Sequence, residues 1–219
     1  MPEAAIKAVL FDLDGTLADT APDLVGALNR LRSDEQLEPL PFEQLRRFAS
    51  QGARGLLREG MDIQQDHPGY ARWAERFLNH YAGNLCVDTV LFEGMHSLLH
   101  ELKQRGLRWG IVTNKHSRFT VPLLKAMQLD MVDCIVCGDT TPHPKPAPDP
   151  ILHACASLGI TPGESIYVGD DERDIQSGRS AGCLTLAAAW GYLGCDTPIS
   201  DWLADGIIHQ PQEILAWLD

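Results

Sequence analysis

The sequence predicts an α/β fold: a parallel sheet with helices on both faces, interrupted near its start by an all-helical insert. Two observations predict it. Strand-like apolar runs at 6–11, 107–112, 132–137, 165–168 and 183–188, with a short one at 206–208, alternate with helical stretches near 94–105, 117–128, 148–158, 172–181 and 211–218. The segment 17–86, between the first and second of these strands, instead reads as helix throughout. A third feature locates the chemistry: several of the apolar runs end in glycine, hydroxyl or carboxylate residues, and ligands of parallel α/β sheets gather at the carboxyl ends of strands.

The first run is the most informative. Ala8-Val9-Leu10-Phe11 is fit for a buried strand and delivers Asp12 and Asp14, one residue apart, into a glycine turn at Gly15-Thr16. Strand alternation points Asp12 and Asp14 the same way and Leu13 into the core. Two carboxylates that close repel unless a proton or cation lies between them, and hard oxygen ligands suit magnesium. An ordinary Asp-Gly turn is the structural alternative. In the insert, Thr20-Ala-Pro-Asp23 looks like a helix start with a near capping box, followed by Leu24, Leu28 and Leu31 on one face. Tyr70, Trp73, Ala74, Phe77, Leu78 and Tyr81 recur at helical spacing and read as packing within a helical bundle.

The second strand run ends at Thr113-Asn114-Lys115, placing a hydroxyl and an amide ahead of the next helix, where donors face an anion or cap that helix. Cys134-Ile-Val-Cys137 has the spacing of a metal or redox pair but lies inside a strand run with no second pair following it. Prolines around Lys145 stiffen a loop that holds one ammonium. Ser165-Ile-Tyr-Val-Gly169 leads into Asp170, Asp171 and Asp174, either further cation ligands or a charged first helical turn.

Whole-chain properties narrow the partners. A chain of 219 residues with 44% apolar content is ample for a core. The net charge of -12 argues against nucleic acid, anionic membranes and other polyanions, so a small anionic substrate must rely on local cations. The six cysteines are scattered and read as core thiols of a reducing compartment. No leader segment or membrane-length apolar run is evident, which makes a cytoplasmic protein, monomer or homodimer, the expectation.

The four segments, in this order, resemble the motifs of the haloacid dehalogenase superfamily: Asp12-Leu-Asp14-Gly-Thr16, Thr113, Lys145, and Gly169-Asp170 through Asp174. Within it the chain is similar to phosphoglycolate phosphatases through Asp19-Thr-Ala-Pro-Asp23-Leu, Val112-Thr-Asn-Lys115, Gly138-Asp-Thr140 and Trp190-Gly-Tyr192. It also resembles phosphatases of N-acetylmuramic acid 6-phosphate in Gly169-Asp-Asp-Glu-Arg-Asp-Ile-Gln-Ser-Gly178. The resemblance implies a Rossmann-like catalytic core (1–16 and 87–219) with a helical cap (17–86), and magnesium-dependent hydrolysis of a small phosphomonoester, 2-phosphoglycolate before N-acetylmuramic acid 6-phosphate. It implies Asp12 as nucleophile, Asp14 as general acid and base, and Mg2+ on the Asp12 carboxylate, the Asp14 carbonyl and Asp170, with Asp171 and Asp174 outside them. Thr16, Thr113 and Asn114 then bind substrate, Thr113, Asn114 and Lys145 neutralise the transferring oxygens, and Arg54 in Ser50-Gln-Gly-Ala-Arg54-Gly55 is the expected contact to the distal group. A phosphosugar mutase on the same scaffold, or a phosphorylatable receiver with no small substrate, are the rival readings.

Overall fold

The computed structural model describes residues 5–129, 131–194 and 197–218, and the statements below concern those residues. The chain opens with β1 (Ala8–Phe11) and a short β2 (Ala18–Asp19), followed by α1 (Ala21–Asp34), α2 (Phe42–Leu45), α3 (Gly52–Met61) and α4 (Tyr70–Ala82). It returns through β3 (Val90–Leu91) and then alternates: α5 (Met95–Gln104), β4 (Arg108–Val112), α6 (Ser117–Ala126), β5 (Cys134–Val136), α7 (Asp149–Leu158), β6 (Ser165–Gly169), α8 (Glu172–Ala181), β7 (Leu184–Ala188) and β8 (Gly206–Ile208). Six strands form one sheet in the order β5-β4-β1-β6-β7-β8, every neighbouring pair parallel.

The residues of β1 explain its central place. All four are buried, and their alternation feeds two cores. Val9 and Phe11 pack with Leu98, Leu102 and Leu123 on one face, whereas Ala8 and Leu10 pack with Ile151, Ala154 and Leu158 on the other. Phe11 lies opposite Ile111 of β4 and Val168 of β6. Asp12, Thr113 and Asp170 therefore follow their strands at the same carboxyl edge.

The helices α1 to α4 lie between β2 and β3, which pair antiparallel, Ala18 opposite Leu91 and Asp19 opposite Val90. Leu24, Leu28, Leu31, Leu45, Phe77 and Tyr81 form their common core, and Phe119 and Tyr192 reach into it from the α/β part. Burying each large side chain contributes roughly 1.5–3 kcal/mol. Asp23 fixes the return of the chain: its buried carboxylate accepts from the backbone of Val87, Asp88 and Thr89 and from the Thr89 hydroxyl at 2.7–3.1 Å. Thr20 precedes α1 but makes no side-chain cap; the Tyr192 hydroxyl accepts from the Thr20 and Ala21 amides, each at 2.8 Å, in its place.

Two local expectations differ. The 211–218 stretch is a 3₁₀ segment, Pro211–Trp217, docked by buried Ile214 and by Gln212 donating to the Gly94 carbonyl at 2.9 Å. The 132–137 strand shortens to Cys134–Val136. The Cys134 thiol lies under Gly110 and is pushed up to about 12, mainly by burial. Cys86, Cys137, Cys155 and Cys183 are free thiols, and Cys195 lies outside the described residues. No helix among the described residues is long and apolar enough to cross a membrane.

Candidate active site

The carboxyl edge of the sheet gathers the acids. The Asp12 amide still donates to the Val168 carbonyl, 2.9 Å away, so its side chain is aimed by the ladder before the chain turns. The turn is closed by Leu17 and Ala18 amides donating to the Asp12 and Leu13 carbonyls. Gly15 is required there on two counts. Its φ is +94°, and a Cβ in its place would stand 2.7 Å from Asp170 Cγ and 2.8 Å from Asp170 Oδ1.

Asp170 is fully buried, accepting from the Thr16 hydroxyl (2.8 Å), the Tyr192 amide (2.8 Å) and the Ser50 hydroxyl (3.4 Å). Carboxylate oxygens of Asp12, Asp170 and Asp174 all lie within 4.8 Å of one another. Lys145 is the cation among them. Its ammonium donates to Asp12 at 2.7 Å, to Asp174 at 2.6 Å and to the Val112 carbonyl at 3.0 Å, and lies 2.9 Å from the Tyr167 hydroxyl.

One buried ammonium does not balance three buried carboxylates, and the electrostatics record it. Burial pushes Asp12 up to about 7, with Lys145 pulling down and the charges of Asp174 and Asp14 pushing up. Burial, then Asp12 and Asp174, drives Asp170 well above the usual carboxylate range. Burial opposes the charge on Lys145, but Asp12 and Asp174 outweigh it and hold the ammonium above the ordinary lysine range. The donor set is hard oxygen, buried and short of positive charge, which fits a divalent cation such as Mg2+.

Asp14 faces elsewhere. Its carboxylate accepts from Lys115 at 2.6 Å and from the Thr20 hydroxyl at 2.5 Å, at the wall of a cavity of about 300 Å³ that Asp12, Thr113 and Lys145 also line. Both Lys115 and Asp14 are mostly buried side chains. Thr113 is buried at the same wall, its oxygen accepting from the Lys115 amide at 3.1 Å. The far wall is apolar, with Leu24, Phe77, Leu78, Tyr81 and Phe119. The inner end of the α4 stripe is thus both core and cavity lining.

Other expected site residues take different posts. Asn114 lines the cavity, but its amide clamps the Lys145 peptide, donating to the carbonyl at 2.9 Å and accepting from the amide at 3.0 Å. Thr16 spends its hydroxyl on Asp170, so it holds a carboxylate in place and does not line the cavity. Asp171 caps α8 and is bound by Arg173 at 2.7–3.0 Å, which outweighs its burial and keeps it below the usual carboxylate range; Asp174 occupies the place among the acids instead. Arg54 sits exposed in the first turn of α3 and borders a neighbouring hollow of about 160 Å³ with Asp171, Arg173 and Gln176, outside the main cavity. The sequence assigned no role to Lys115, although it stands in the Thr113-Asn114-Lys115 run, or to Tyr192, although it ends the Trp190-Gly-Tyr192 segment.

Residues 9–188 match the family described as haloacid dehalogenase-like hydrolase. The chain is 37% identical over 220 residues to the N-acetylmuramic acid 6-phosphate phosphatase of Pseudomonas aeruginosa, a match covering 100% of this chain and 97% of that one. It is 40% identical over 212 residues to the phosphoglycolate phosphatase of Xanthomonas campestris pv. campestris, covering 95% and 94% respectively. Its fold superimposes on the crystal structure of a predicted phosphoglycolate phosphatase from Haemophilus somnus with a TM-score of 0.85, at 27% identity over 98% of both chains. Sheet order, acid cluster and family match agree: this chain belongs to the haloacid dehalogenase-like hydrolases.

Proposed function

We propose that the chain is a Mg2+-dependent phosphatase that hydrolyses a small, carboxylate-bearing phosphomonoester through a phosphorylated Asp12. The observation that carries this reading is the juxtaposition of Asp12, Asp174 and Lys145 at the floor of a cavity whose wall presents Asp14, with Asp170 buried beside them. Asp12 attacks phosphorus, the Asp12–phosphorus bond forms and the ester oxygen leaves. Asp14 gives that oxygen its proton, then as carboxylate takes a proton from the water that cleaves the acyl phosphate. Lys115 and Thr20 hold Asp14 in place for both transfers. Lys145 and the Thr113 hydroxyl meet the transferring oxygens, and Asn114 acts by fixing the Lys145 loop. Asp12, Asp170 and the Asp14 carbonyl are the proposed Mg2+ ligands, with Asp174 beside them. The bound ion supplies charge neutralisation between the attacking carboxylate and the phosphoryl group.

The helices between β2 and β3 serve as the cap (residues 17–86), and they choose the substrate because the phosphoryl-handling groups cannot. Relatives similar to this chain act on N-acetylmuramic acid 6-phosphate and on phosphoglycolate. A cavity of about 300 Å³ with a broad apolar wall is large for a two-carbon acid and suits the sugar phosphate. The second reading, 2-phosphoglycolate, is supported by the 40% identity to the Xanthomonas enzyme. Phosphate release from both compounds, with Mg2+ and with chelator, tests the proposal. Release from at least one, abolished by chelator, is expected; release from neither, or release indifferent to chelator, contradicts it.

A further inference from the structure

Four lysine and arginine side chains border the cavity, and three of them face an acid: Lys145 meets Asp12 and Asp174, Lys115 meets Asp14, and Arg173 meets Asp171. Arg118 has no carboxylate partner among the described residues. Its guanidinium instead lies 4.5 Å from the centroid of the Phe119 ring, and Phe119 packs on Tyr81 with centroids 5.6 Å apart. A planar cation stacked on an aromatic face is pre-oriented for bidentate recognition of a carboxylate. The cavity also carries unmet hydrogen-bonding capacity, since Gln51, one of its lining residues, has its Oε1 buried without a partner among the described residues.

We propose that Arg118, on the Phe119–Tyr81 wall, is the specificity-determining residue that binds the carboxylate of the substrate distal to its phosphate. The inference deepens the phosphatase reading and rests on it. It also moves the distal contact from Arg54, which lies outside the cavity, to the first turn of α6. The substrate class that follows is a sugar phosphate bearing an acid side arm, whose ring spans the apolar wall and whose carboxylate reaches the mouth.

The test compares two hexosamine phosphates that differ in one lactyl ether: N-acetylmuramic acid 6-phosphate and N-acetylglucosamine 6-phosphate. The readout is the ratio of their kcat/KM values, measured by phosphate release with wild type and with Arg118→Ala. A charge-assisted pair of hydrogen bonds corresponds to a preference of about 10- to 100-fold for the acid. Arg118→Ala is expected to collapse that ratio toward one, and Arg118→Lys to restore only part of it. A wild-type ratio near one, or a preference that survives Arg118→Ala, overturns the assignment. Absence of phosphate release from both compounds and from 2-phosphoglycolate sinks the phosphatase reading itself, and the subsite with it.

Discussion

Substituting Gly15 by Ala isolates how tightly the first turn is built against Asp170. Gly15 and Gly182 have nearly the same φ, +94° and +89°, yet a Cβ at Gly182 meets nothing within 4 Å, whereas at Gly15 it meets Asp170 Cγ at 2.7 Å. Left-handed strain costs both variants about 1–2 kcal/mol. The Gly15 variant adds overpacking, about 1–3 kcal/mol, because Asp170 is held by the Thr16 hydroxyl and the Tyr192 amide and cannot swing clear without breaking them. For a chain of this size each kcal/mol lowers Tm by about 2–4 °C, so the two variants should separate by roughly 2–12 °C. Urea and thermal unfolding of both, without added metal, give the comparison. Equal losses for Gly15→Ala and Gly182→Ala would refute the claim that Asp170 is locked against the turn.

Two further outcomes follow from the acids. In the protein without metal Asp12 titrates near 7, raised from its ordinary value, so below that pH an arriving cation must displace its proton and above it the cost disappears. Half-saturating Mg2+, measured by calorimetry without substrate, should therefore fall by about fivefold between pH 6 and pH 7 and level off in this contribution above pH 8; a value independent of pH would contradict the shared site. Asp14→Asn should lower turnover by about 10²- to 10⁴-fold while leaving Mg2+ affinity within a few-fold, since its carboxylate faces Lys115 and not the acid trio. A parallel loss of metal affinity would place that carboxylate on the metal.

Much of this was legible in the chain because parallel sheets bury both faces of their strands. The continuous apolar runs of β1, β4 and β6 marked the core, and the polar residues that end them marked its carboxyl edge. What the sequence hid is side-chain direction after the strand ends. Asp12 and Asp14 were expected to point together, but the tight turn at Gly15 sends one carboxylate to Lys145 and the other to Lys115. Asp171 and Asp174 differ only by position in a helix turn: one becomes the α8 cap and the other faces the acids. Arg54 looked suited to the site because glycines flank it, whereas Arg118 carried no signal beyond its distance from Lys115. Tyr192, which joins Asp170 to the start of α1, is linked to both only through the fold.

The central claim is that Asp12 carries the phosphoryl group during turnover. Borohydride reduction of enzyme quenched in acid while hydrolysing its substrate converts an aspartyl phosphate to homoserine, and peptide mapping then locates it. The account predicts homoserine at position 12, absent when substrate or Mg2+ is omitted. Reduction at a different carboxylate, or sustained turnover with position 12 unmodified at every quench time, would contradict it.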